Sequence, residues 1–239
     1  MDNLKDSIEN SSFDKETNSF IETIKKFKQA FEVDLPNQYK VLFDELAIAG
    51  WYIDYSLAPQ TLANLILLDY ENKSNLNQYL IHYFRKETNS ICKKIQKLYP
   101  IRKKIITSAF KAHKRKEYEL SIPVFLAQID GICYDLIEKD FFSISPRSER
   151  HKEQPKHWVT DQQFNNFKSS ILEPLTKNDY LSVQIKNRHL YPFALNRNEV
   201  LHGRSIDYAT ETNSLKAISL LNYISVIVAD IKYDRDITW

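Results

Sequence analysis

Only three residues of the chain are glycine, Gly50, Gly131 and Gly203, out of 239. At average usage, a domain of this length would hold roughly 17. Glycine turns the backbone through left-handed conformations and lets it approach a ligand closely, so this scarcity excludes whole classes of fold. Neither G-x-G-x-x-G nor G-x-x-x-x-G-K-[ST] occurs, which removes both glycine-loop routes to a nucleotide. Sandwiches and propellers, with their frequent tight turns, fit no better. A helical chain with few, long elements remains.

At 43% hydrophobic and 27% charged, the chain has material for one large domain or two small ones. The opening MDNLKDSIENSSFDKE is acidic and polar, unlike a signal peptide. The least charged stretch, Leu46 to Leu68, contains Gly50, Asp54 and Pro59 and reads as buried helix and turn rather than a membrane span. Without a secretory signal, Cys92 and Cys133 read as reduced core residues. No cysteine–histidine pair has zinc spacing. The expected setting is cytoplasmic, with no membrane, metal or cofactor.

Charge is unevenly distributed. Arg85 to Lys116 holds twelve Lys or Arg (Arg85, Lys86, Lys93, Lys94, Lys97, Arg102, Lys103, Lys104, Lys111, Lys114, Arg115, Lys116) against one acid, Glu87, a net of +11 in a chain of net +2. Tyr83, Phe84, Tyr99 and Phe110 lie among these charges. The segment reads as an electrostatic footprint for RNA, with Arg102, Lys103, Lys104, Lys111, Lys114 and Arg115 as the contacts. It reads equally as the solvated face of helices whose Ile91, Ile95, Leu98, Ile101, Ile105 and Phe110 build a core, or as a surface for an acidic protein.

Helical periodicity recurs along the chain. Phe20, Ile24, Phe27 and Phe31 mark a first helix ending before Pro36; Tyr39 to Ala47 and Pro59 to Leu68 follow. Leu76 to Leu98, a basic helix after Pro100, and an apolar helix from Tyr118 to about Phe141 come next, the last with Pro123 near its start. Ser143 to Trp158 is a polar loop. Asp161 to Leu172, Pro192 to His202 and the amphipathic Ser214 to Ile231 complete the set. ETNS recurs at Glu16, Glu87 and Glu211, as helix punctuation. His82 and His113 read as exposed or hydrogen-bonded, and Trp51, Tyr52 and Tyr55 as core.

Chemistry concentrates in Tyr191-Pro-Phe-Ala-Leu-Asn-Arg-Asn-Glu-Val-Leu-His-Gly203. Pro192 suits a helix start and Gly203 a helix end. Arg197 falls within the stripe of Phe193, Ala194, Val200 and Leu201, where a guanidinium is costly unless something anionic or hydrogen-bonding meets it. Asn198 and His202, four apart, share a face. Asp130-Gly131 interrupts the apolar helix with two poor interior formers. Close packing against the motif helix would explain Gly131 and make Asp130 a supporting residue.

This segment resembles the HEPN family, marked by an Arg, a polar neighbour and a His about one to two turns on; here these are Arg197, Asn198 and His202. A second Arg-to-His match, Arg150 to His157, spans Pro155 in the polar loop and has no helical frame. The resemblance covers about Ile101 to Ile231 and includes the helices reading YELSIPVFLAQIDGICYDLI and SLKAISLLNYI. It implies an all-α, HEPN-like bundle over residues 101–239, with the motif helix at 192–202, behind an N-terminal helical extension over 1–100. It further implies a metal-independent endoribonuclease, a toxin or abortive-infection effector, dimerising through the motif helix. An antitoxin or regulatory partner would accompany it.

The residues themselves suit that chemistry. RNA brings its own nucleophile, the 2′-hydroxyl, so a metal-free nuclease needs a base, an acid and a cation. Histidine fills either proton role near neutrality, and arginine grips phosphate oxygens. One chain supplies one Arg and one His at this motif, whereas in-line displacement wants acid and base on opposite sides; a twofold dimer supplies both. Asn198 would orient His202 or the phosphate. A structural reading stands beside this: His202 before Gly203 also suits a helix C-terminus, and Arg197 can pair with Asp130 or Asp135. A non-catalytic HEPN scaffold binding RNA or a protein, or a basic adaptor without nucleic acid, are the alternative functions.

Overall fold

The computed structural model describes residues 21–23, 25–26, 28–54, 61, 65, 73–138, 141, 159, 166–176, 189 and 195–233. These residues are 84% helical and contain no strand: the protein is all-α. The polar loop at 143–158, Tyr55, His151 and His157 lie outside them.

A π turn at Ala30–Asp34 runs directly into α1, Leu35–Ile48. The expected break before Pro36 is therefore corrected. Leu35 N–H bonds to Ala30 O, five residues back, and this looser ladder admits Pro36, which has no N–H to donate. α1 buries Tyr39, Leu42, Phe43, Leu46 and Ala47, and Gly50 turns the chain with φ 85°. Trp51 to Asp54 then run buried and non-helical.

α2 is Lys73–Leu98, a turn at Pro100–Arg102 follows, and α3 is Lys103–Lys114. Leu76, Leu80, Phe84, Ile91 and Ile95 bury one face of α2; Ile106, Ala109, Phe110 and His113 face inward from α3. α4, Tyr118–Ile137, packs on α3. Glu138, left-handed at φ 56°, ψ 33°, ends α4, about a turn before Phe141. This helix is long and apolar enough to cross a bilayer, yet just over half of its most apolar stretch is buried inside the molecule. Packing against α3 and the C-terminal helices accounts for its apolarity.

α5, Asn166–Thr176, lies on α1, where Ser170 Oγ donates to Pro36 O at 2.7 Å. α6 is Arg197–Leu201 and α7 is Glu211–Tyr223, continuing through a π turn at Ile224–Val228 into α8, Ala229–Lys232. Every residue from Ser214 to Ala229 is buried, which corrects the expectation of an amphipathic closing helix. α7 is the central helix, packed against α2 and α4. One cluster of buried side chains draws on both sides of residue 100, from Leu42, Phe43 and Trp51 to Ile129, Leu221 and Ile227.

Candidate functional site at the Arg197–His202 helix

Leu195 and Asn196 are buried and non-helical. Asn196, at φ −84° and ψ 108°, accepts on its Oδ1 from the backbone N–H of Asn198 at 2.9 Å and of Glu199 at 3.2 Å. The helix therefore starts at Arg197 and not at Pro192, correcting the 192–202 span; residues 191–194 lie outside the described set. The sequence does carry a signal for this start: Asn196 is followed three residues later by Glu199, a helix-start pairing that competes with Pro192. His202 closes the helix, its N–H bonded to Asn198 O at 3.1 Å. Gly203 follows in the left-handed region at φ 65°, with nothing within 4 Å of where a Cβ would stand. Backbone conformation, not crowding, calls for glycine there.

Val200 is buried and Leu201 packs against the core, fixing one side of α6. Arg197 is half-buried, its Nη1 donating to Asn198 Oδ1 at 3.1 Å, while His202 is exposed. A guanidinium, a carboxamide and an accessible imidazole thus occupy one short, doubly capped helix.

Pro123 adds a second anchor. Lacking an N–H, it leaves Glu119 O without its helical donor, and Tyr208 OH donates to that carbonyl at 3.1 Å. Asn213 Nδ2 in turn donates to Tyr208 O at 2.9 Å. The stretch following the motif is thereby tied to both α4 and α7. α6 itself packs against α4, the helix on which Asp130 stands half-buried.

Gly131 has a different neighbour from the one expected. A Cβ there would lie 2.9 Å from Arg102 Nη1 and 3.0 Å from Nη2, so the glycine makes room for Arg102. Arg102 donates to Asp135 Oδ2 (3.1 Å from Nε, 2.6 Å from Nη2), to Gln128 Oε1 (3.1 Å) and to Gly131 O (3.1 Å). Its guanidinium, expected on RNA, clamps the α2–α3 corner onto α4. Asp135, an expected partner of Arg197, is engaged by Arg102 instead.

Of the other expected RNA contacts, Lys103, Lys104, Lys111 and Lys114 are exposed, whereas Arg115 forks onto Glu117 at 2.7 and 2.6 Å. Tyr83 and Tyr99 are half-buried, and Phe84 and Phe110 fully buried. Trp51 and Tyr52 belong to the core, as their sequence context implies: Trp51 stacks on Phe84 at 5.5 Å between ring centroids.

Two buried polar groupings have no signal in the sequence. His113 Nδ1 lies 2.8 Å from Ser214 Oγ, itself 3.2 Å from Ser121 Oγ. Asp54 accepts from Lys94 Nζ at 3.2 Å and Asn222 Nδ2 at 2.8 Å. Each joins residues 40 or more positions apart, which no local spacing reveals. Among the described residues, no three His, Cys, Asp or Glu side chains cluster as metal ligands. Comparisons with protein-family models, curated proteins and solved structures found no match to this chain.

Proposed function

We propose that the protein is a homodimeric, metal-independent endoribonuclease of HEPN type, acting as a toxin or defence effector. Arg197, Asn198 and His202 carry the chemistry. The observation that supports this reading is the placement of an exposed His202 at the end of a short capped helix whose first residue, Arg197, bonds to Asn198. Arg197 would hold the scissile phosphate and stabilise the charge developing on it. His202 of one protomer would take the 2′-hydroxyl proton, and His202 of the partner subunit would protonate the leaving 5′-oxygen. The products are a 2′,3′-cyclic phosphate and a 5′-hydroxyl. Asp130 would support the site from α4, and a neutralising antitoxin would hold the activity in check.

The test is cleavage of mixed RNAs by purified protein, with the new ends mapped. His202→Ala is expected to lose at least about 100-fold in cleavage rate, consistent with removal of a general acid–base, while folding and dimerisation persist. Chelation with EDTA should leave the parent rate unchanged. A variant that cleaves like the parent, or a parent inactive in EDTA, overturns the mechanism. RNA binding without any cleavage would instead support the non-catalytic scaffold.

A further inference from the structure

We propose that the outer face of the α2–α3 hairpin grips the phosphate backbone of double-stranded RNA without reading its bases. This deepens the ribonuclease reading above and rests on RNA being the ligand.

All three arginines of the basic segment are engaged within the chain. Arg85 forks onto Glu211 at 2.7 and 3.0 Å, Arg102 onto Asp135 and Arg115 onto Glu117. Arginine is the residue that reads a base edge or a phosphate bidentately. What the segment leaves outward is lysine: Lys86, Lys93, Lys97, Lys103, Lys104 and Lys111 are all exposed. Among the described residues none of the six has a carboxylate at ion-pair distance. Lysine presents a compact point charge on a flexible stem, suited to phosphate and indifferent to sequence.

The six form one surface. Lys86, Lys93 and Lys97 follow helical spacing along a single stripe of α2, away from the buried Phe84, Ile91 and Ile95. Lys104 and Lys111 repeat that pattern on α3, away from Ile106, Ala109 and Phe110. Gln96 Nε2 donates to Thr107 Oγ1 at 2.8 Å across the seam. Gln96 adjoins Lys97 and lies one turn from Lys93; Thr107 lies one turn from Lys103, Lys104 and Lys111. Cations therefore flank this junction on both helices.

Single-stranded nucleic acid is held largely by stacking its bases on aromatic rings. Here the rings turn inward, Phe84 and Phe110 into the core and Tyr99 with its hydroxyl on Ser225 O at 3.0 Å. A lysine face without platforms favours the ligand of highest, most regular charge density. That ligand is a duplex, which proteins recognise by backbone and shape.

The test measures affinity of the His202→Ala protein for an RNA duplex of about 20 base pairs, long enough for a shape-reading protein to span, and for either strand alone, across a salt series. The duplex is expected to bind at least about tenfold tighter than a strand, with scrambled sequences equivalent. The slope of log K against log salt should be about −4 to −5, for roughly five phosphate contacts. Lys93→Glu, Lys104→Glu and Lys111→Glu should each weaken binding several-fold and make that slope shallower. Equal or tighter binding of single strands, unchanged affinity in the three variants, or binding only to an acidic protein overturns the proposal. If the duplex is not preferred while the parent still cleaves RNA, this surface assignment fails and the nuclease stands. If the duplex binds as expected while the parent cleaves no RNA, the surface assignment stands and the nuclease fails.

Discussion

His113, next to last in α3, has its imidazole buried among Ser214, Ser121 and the ring of Tyr118, 5.7 Å away. Burial disfavours the imidazolium and lowers its pKa from the ordinary 6.5. Glu211, one turn before Ser214, pulls the other way, and neighbouring Lys114 adds to the lowering. Glu211 is itself held below the usual carboxylate range by its hydrogen bond from Arg85. The signs give two windows. Below pH 6.5 the unfolded chain takes up a proton that native His113 resists, so stability falls as pH drops through that window. Below about 4.5, protonating Glu211 removes its pairing with Arg85, and a second loss follows. Thermal unfolding from about pH 7.5 to about pH 3.5, spanning both windows, should show the two losses. His113→Gln, which keeps a hydrogen-bonding group for Ser214, is expected to flatten the upper window and spare the lower. An unchanged upper slope would place that titration on another group.

Between elements, the clamp of the α2–α3 corner on α4 depends on one missing Cβ. In a helix interior Gly131 costs about 1 kcal/mol against alanine, but an alanine methyl would press on Arg102 Nη1. The guanidinium would then lose geometry on Gln128, Gly131 O and Asp135, at about 0.5–1.5 kcal/mol for each bond disturbed. Two or more bonds outweigh the helix propensity, so Gly131→Ala should destabilise by about 1 kcal/mol. In an Arg102→Ala background the clash is gone and propensity alone decides. There Gly131→Ala should stabilise by about 1 kcal/mol. Denaturant unfolding of the four proteins measures the reversal; the same sign in both backgrounds would rule out the clamp. The sequence signals a close approach at Gly131 but not the visitor, because Arg102 lies 29 positions earlier. α2 and α3 are legible from Leu76, Leu80, Phe84, Ile91 and Ile95, and from Ile106 and Phe110, whose spacing is helical and whose burial follows it. α7 and the π turn after it mislead because Ser219, Asn222 and Ser225 look like a solvated face. They are buried instead: Ser219 Oγ accepts from Tyr52 N and Asn222 donates to Asp54. At the motif the residue types are legible, while two helix starts compete, Pro192 and the Asn196–Glu199 pairing, and the extended backbone of Asn196 that decides for the second is not shown by spacing.

For the molecule as a whole, the question is whether one chain suffices. Its motif provides a single exposed imidazole, and in-line transfer needs a proton taken on one side of the phosphate and given on the other. If the cleft forms where two α6 helices meet, a protomer carrying His202→Ala disables every dimer it joins. Co-expressing parent and variant in equal amounts, with distinct tags to verify random pairing, leaves about one dimer in four with both imidazoles. The mixture should then cleave at about a quarter of the rate of the same quantity of parent. Chains acting independently would retain about half, because each parent copy would keep its own site. A result near half would overturn the composite cleft while leaving His202 as the proton-transfer residue. A quarter would mean that the twofold arrangement completes the site, with α6, Asn196 and the Tyr208–Glu119 tie positioning each protomer's histidine.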